Sequence, residues 1–101
     1  MNSLIMNIKY LKVAREEFHD AIKYYETQHI GLGKRFQADI KNSISRIKEF
    51  PNAYVAVKEK VRRCLLHKFN YSILYTINDN HILIIAISHQ HRKPDHWVDR
   101  V

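Results

Sequence analysis

The chain has a single cysteine, Cys64, in 101 residues. One thiol excludes an internal disulfide and a cysteine-based zinc cluster, and it suits a reducing compartment. Two glycines and two prolines exclude collagen-like and low-complexity chains, and nothing repeats at the fixed period of a solenoid. No apolar run nears the roughly 18–20 residues of a membrane span. The longest, Ile82 to Ile87, is strand-sized. The N-terminus lacks the basic start, apolar block and small-residue cleavage site of a signal peptide. A cytoplasmic protein with no membrane association is therefore expected. Two enzyme classes also drop out. Gly31-Leu32-Gly33 lacks the lysine and hydroxyl of a P-loop, and there is no Gly-x-Ser-x-Gly elbow.

What the chain does have is charge of one sign. Seventeen Lys and Arg stand against ten Asp and Glu, for a net charge of +7 with seven histidines besides. A small basic domain is drawn to polyanions: nucleic acid, ribosome or an acidic protein. The excess is not uniform. Lys58, Lys60, Arg62, Arg63 and Lys68 crowd one short stretch beside Glu59 alone, which favours a binding face over a generally solvated surface. With 46% hydrophobic residues, residues 1–101 are expected to form a single domain around one modest core.

The hydrophobic period locates the elements. Asn7 to Tyr10 alternates and reads as a first strand. From Lys12, Ala14, Phe18, Ala21, Ile22 and Tyr25 recur at three- and four-residue steps and line one helix face; Glu16, Glu17, Asp20 and Lys23 fall on the other. Ile30-Gly31-Leu32-Gly33 stops this helix near Gln28, because glycine accepts positive φ. A second helix carries Phe36, Ile40, Ile44 and Ile47 inward and ends before Pro51. The short linker predicts an antiparallel helical hairpin. Beyond Pro51 the period becomes two: Tyr54–Val57, Val61–Leu66, Tyr71–Asn78 and His81–His89 read as strands, with Asn78-Asp79-Asn80 as a turn. Short connections predict an antiparallel meander, and Pro94 predicts a short C-terminal helix. The fold class is α+β: an antiparallel β-sheet packed against an N-terminal helical hairpin.

Cys64, inside a strand alternation, reads as a small buried hydrophobe rather than a nucleophile. Trp97 reads as a packing residue and Tyr24 as a rim or surface residue, since Tyr24 and Tyr25 cannot both face the core. His89, His91 and His96 match no zinc-site spacing, so no metal and no cofactor is expected. Their natural partner is phosphate. Arg62, Arg63, His89, His91, Arg92 and Lys93 lie where a meander brings strand ends together. Arginine forks hold phosphate oxygens, and histidine moves protons near neutral pH. Such a set suits RNA cleavage, with a base taking the 2′-hydroxyl proton and an acid protonating the leaving 5′-oxygen. A solvated basic strand edge has the same composition. Alternation allows only one of Arg62 and Arg63 to face outward; Val61 and Leu65 share the face of Arg63, Cys64 and Leu66 that of Arg62.

Three strings span the first half: Asp20-Ala21-Ile22-x-Tyr24-Tyr25-Glu26, Gly31-Leu32-Gly33-x-Arg35-Phe36 and Phe50-Pro51-x-x-Tyr54. The second half adds Arg62-Arg63-x-Leu65-Leu66-x-x-Phe69-x-Tyr71-x-Ile73-x-Tyr75 and His89-x-x-Arg92-x-Pro94-x-x-Trp97-x-x-Arg100. In this order, from Met6 onward, they resemble the RelE/ParE toxin superfamily, in style the ParE-like branch associated with plasmid stabilisation. The resemblance implies a fold of two helices on an antiparallel sheet. It also implies a growth-inhibitory toxin of a type II toxin–antitoxin pair, neutralised by a cognate antitoxin protein. Two mechanisms occur in the superfamily: mRNA cleavage at the ribosome, which would make the chain an endoribonuclease, and non-enzymatic inhibition of DNA gyrase. A basic nucleic-acid-binding module without toxicity is a further alternative. If the target is RNA, the implied catalytic set is Arg62, Arg63, His89 and Arg92, with Lys58, Lys60, His91 and Lys93 as RNA-binding residues. Residues 1–5, ahead of the resemblance, are expected to be a dispensable extension.

Overall fold

Two amphipathic helices and five strands form in the order that the hydrophobic period predicts. The computed structural model describes residues 6–101; residues 1–5, with the expectation that they are dispensable, fall outside it. Strand β1 (Asn7–Tyr10) leads into α1 (Lys12–Gln28) and α2 (Leu32–Glu49). Then follow β2 (Ala56–Lys58), β3 (Val61–Leu65), β4 (Tyr71–Asn78), β5 (His81–His89) and a 3₁₀ turn at Val98–Arg100.

The hairpin between the helices is closed from within. Gly31 caps α2 with φ of +87°, a left-handed conformation open to glycine at little cost. Both carboxylate oxygens of Glu26, from α1, accept from the Gly31 amide, and Oε1 also accepts from Gly33 at 3.0 Å. They satisfy amides that a helix start leaves without intrahelical partners. A Cβ on Gly33 would stand 2.8 Å from the Ile22 carbonyl oxygen, so this glycine sets how closely the helices approach.

The strands form one sheet in the order β1-β5-β4-β3-β2. Here the structure corrects the expectation of an antiparallel sheet. The meander β2 to β5 is antiparallel, but β1 joins β5 in parallel, with Asn7 opposite His81 and Tyr10 opposite Ile84. The sheet is therefore mixed. Alternation reports which face a side chain takes, whereas direction depends on where the helical hairpin returns the chain. β2 is also shorter than the predicted Tyr54–Val57 strand. Tyr54 instead packs its ring edge-on to Tyr75, at 6.4 Å. The expected C-terminal helix is reduced to the 3₁₀ turn, because Asp95 at φ +65° interrupts helical geometry one residue after Pro94.

The helices cover one sheet face. Phe36, Ile40, Ile47, Cys64, Leu66, Ile73, Tyr75, Ile82, Ile84 and Ile87 bury between them. Burial drives the Tyr75 phenol up to about 12, and its hydroxyl donates to the Pro51 carbonyl oxygen at 2.6 Å. The other face carries a smaller cluster in which Trp97 packs with Val61, Leu74, Ile85 and Ala86. A bulge in β5 separates the two. Leu74 pairs with Ala86 but Tyr75 pairs with Ile84, leaving Ile85 as the extra residue. From there onward the alternation of β5 is inverted, so Ile87 rather than Ala86 turns to the helices.

Candidate functional site

The open sheet face and the segment after β5 enclose a cavity of about 170 Å³. Arg63 enters it from β3, Ser72 and Leu74 from β4, and Ser88 from β5; Arg92, Lys93, His96 and Trp97 close it from the C-terminal segment. The alternation of β3 turns Arg63 and Leu65 to this face. Arg62 goes to the opposite one, where Nη1 donates to the carbonyl oxygens of Tyr54 at 2.6 Å and Asn52 at 3.2 Å. Arg62 thus braces the turn after α2 and does not join Arg63. Ser72 pairs with Ser88 across the strands, and both are buried. Their hydroxyls were the signal in the sequence: two polar residues at buried positions of otherwise apolar strands.

His89 borders the same cavity, but the β5 bulge sets its ring toward the helix side, where it meets Tyr71 edge-on at 5.4 Å. Its Nδ1 accepts from the His91 amide at 3.1 Å, which places the ring proton on Nε2 and makes that nitrogen a donor. His91 is exposed and lies against His89 at 5.2 Å without lining the cavity. Lys93 does line it. Lys58 and Lys60 line a separate cavity of about 780 Å³ on the far side of Trp97. Of the eight residues expected to form the site, Arg63, His89, Arg92 and Lys93 come together; Arg62, Lys58, Lys60 and His91 lie elsewhere. Among the described residues no cluster of His, Cys, Asp or Glu is arranged to hold a metal ion.

The position of Arg92 depends on a residue that the sequence reading assigned to the polar face of α1. Glu17 Oε2 accepts from Arg92 at 2.7 Å and from Arg100 at 2.8 Å. Oε1 accepts from Arg100 Nη1 at 2.9 Å and from the Ile87 amide at 3.0 Å. Arg100 in turn donates to the Ile85 carbonyl oxygen. Beyond Ile84, β5 has no β1 partner, so Glu17 and Arg100 satisfy that edge and tie the C-terminal segment to it. Burial alone would push the Glu17 carboxyl up. The bonds from Arg100 and Ile87 and the charges of Arg100 and Arg92 outweigh this and hold it below its ordinary range. The signal was the spacing Ala14, Glu17, Ala21, which sets Glu17 on the buried stripe.

His96 completes the wall. Its Nδ1 lies 3.0 Å from the Lys93 carbonyl oxygen and so carries the proton, while Nε2 is buried without a hydrogen-bond partner among the described residues. Burial lowers its pKa against the opposing effect of the Lys93 bond. Cys64 is buried, and burial raises its thiol pKa, as befits a core residue.

The model of the ParE toxin of type II toxin–antitoxin systems, parDE, matches residues 8–94. The chain belongs to the ParE toxin family. Among solved structures this ParE-family chain is similar to the chromosomal ParDE toxin–antitoxin system of P. aeruginosa, at 21% identity and a TM-score of 0.69, over 86% of this chain and 98% of that one. It is similar also to a double arginine variant of the E. coli toxin RelE in the free state. There the identity is 12% and the TM-score 0.69, over 96% of this chain and 98% of that one. At such identities these likenesses establish the RelE/ParE-like fold. No curated protein sequence matches. No helix among the described residues is long and apolar enough to cross a membrane.

Proposed function

We propose that this ParE-family toxin arrests growth by engaging the phosphates of an RNA target on its open sheet face, and that a ParD-type antitoxin in the same cytoplasm neutralises it. The observation that carries the reading is the convergence of Arg63, Arg92 and Lys93 with His89, His96 and the Ser72–Ser88 pair on one cavity. Three cations and two hydroxyls suit a phosphodiester, and 170 Å³ suits a group of that size rather than a whole nucleotide. The two rings are held as opposite tautomers: His89 presents its Nε2–H as a hydrogen-bond donor and His96 keeps a lone pair on Nε2, and histidine is the side chain suited to moving the 2′-hydroxyl and 5′-oxygen protons. A net charge of +7 favours an acidic antitoxin segment covering the same face.

A second reading, inhibition of gyrase by binding alone, is favoured by two specific observations. The His96 nitrogen that would take a proton is buried, and Arg92 is already paired with Glu17. The test is a ribosome-dependent mRNA cleavage assay beside a gyrase supercoiling assay, with Arg63, His89, Arg92 and His96 replaced singly by Ala. Loss of cleavage in at least two variants that still bind antitoxin supports the ribonuclease. Intact toxicity in all four, with gyrase inhibited, overturns it.

A further inference from the structure

We infer that Glu17 is a built-in rival of the incoming phosphate: it stores the Arg92 guanidinium in the resting protein and yields it to the open-face cavity when a phosphate group enters. The inference rests on the phosphate-binding reading above and deepens it, giving the α1 carboxylate a part in how that face responds to its ligand.

The carboxylate holds its two arginines unequally. Arg100 donates from Nη1 to Oε1 at 2.9 Å and from Nη2 to Oε2 at 2.8 Å, and Nη1 also reaches the Ile85 carbonyl oxygen at 3.0 Å. This two-pronged pair is largely enclosed, and its fork geometry fixes the segment. Arg92 makes one side-chain hydrogen bond among the described residues, from Nη1 to Oε2 at 2.7 Å, and its side chain is about half exposed. An ion pair held at one point and open to water is weak. If Arg92 leaves, Glu17 keeps both Arg100 bonds and the Ile87 amide at 3.0 Å. No buried charge is stranded, so the penalty for breaking an enclosed pair does not arise.

Arg92 also has somewhere to go. It borders both the cleft beside Glu17 and the open-face cavity, so side-chain rotation alone spans the two. Its backbone can stay in place, with its amide donating to the His89 carbonyl oxygen at 3.0 Å. Arg63 and Lys93 already line the cavity. Three like charges on so small a space repel one another. Pairing Arg92 with Glu17 relieves that repulsion, and a phosphate group removes the need for it while accepting both prongs of the guanidinium.

The experiment uses the full chain with inorganic polyphosphate as probe. Glu17→Gln is expected to bind it roughly 2- to 5-fold more tightly, the size of an exposed pair that no longer has to break. The gain is measured against Glu16→Gln, an exposed neighbour that loses the same charge. In an Arg92→Ala background, Glu17→Gln is expected to add nothing beyond that reference. A purely structural role for Glu17 predicts the opposite sign, because a loosened C-terminal segment weakens the cavity. Nitrogen-15 NMR of the arginine side chains in the unmutated protein supplies a reading that does not depend on the variant folding: polyphosphate should shift the Arg92 Nε resonance and leave that of Arg100 in place. If Arg63→Ala weakens polyphosphate binding, yet Glu17→Gln gains no more than Glu16→Gln and the Arg92 resonance does not move, Arg92 is a fixed brace and only the phosphate face stands. If Arg63→Ala and Lys93→Ala both leave the affinity unchanged, the phosphate face itself is wrong and the exchange falls with it.

Discussion

Replacing Glu17 by Gln tests whether the α1 carboxylate fastens the C-terminal segment. Glutamine can still accept from the Ile87 amide, but it leaves two guanidinium groups without their counter-charge. Arg100 and Glu17 are each 13% exposed, whereas Arg92 is 46% exposed. Removing one partner of a fully buried pair costs about 3–5 kcal/mol. Retention of one acceptor and solvation of Arg92 reduce this to about 2 kcal/mol, or about 8–16 °C in Tm for a domain of this size. The effect has a definite pH signature. The folded carboxyl lies below the ordinary glutamate range, so the native state favours its ionised form. That stabilisation is complete above about pH 4.3, the unfolded value, and is lost as pH falls through the lower folded value. Thermal unfolding of both proteins from pH 7 to pH 2 should give curves that lie apart at neutrality and converge in acid. Equal Tm values at pH 7, or a constant gap at every pH, would show that the ion pairs hold nothing in place.

Gly33→Ala should destabilise the hairpin by about 1–3 kcal/mol in urea unfolding, because the new Cβ meets the Ile22 carbonyl oxygen at 2.8 Å; an unchanged midpoint would mean that the helices separate freely. Trp97→Ala should cost about 3–5 kcal/mol, since the ring is buried on Val61, Leu74, Ile85 and Ala86, with near-ultraviolet circular dichroism reporting the loss. Arg62 and Arg63 should behave oppositely. Arg62→Ala lowers stability by about 1–2 kcal/mol through its lost carbonyl contacts and leaves polyphosphate affinity unchanged, while Arg63→Ala stays within about 0.5 kcal/mol and weakens that affinity. Reversed results would exchange the two arginines between the faces.

The elements themselves were legible along the chain. The three- and four-residue period of Ala14, Phe18, Ala21 and Ile22, the glycines at 31 and 33, and the proline at 51 specify two helices and their ends through local sterics. Period two specifies β3, β4 and β5 through burial on a sheet, nearly to the residue. Long-range geometry decided the rest. β1 runs parallel because of where the helical hairpin delivers the chain, and its own four residues carry no record of that. Ile82 to Ile87 is apolar at every position, so nothing in it marks Ile85 as the bulge that inverts the faces and sends His89 toward Tyr71. Arg62 and Arg63 each have apolar neighbours on their own face, and which face the helices cover was settled only by packing. Glu17 shows the limit most directly. A carboxylate at residue 17 meets guanidiniums at 92 and 100 because the unpaired edge of β5 brings them together; the spacing from Ala14 and Ala21 marks Glu17 as turned inward, but no local period names partners so distant in sequence.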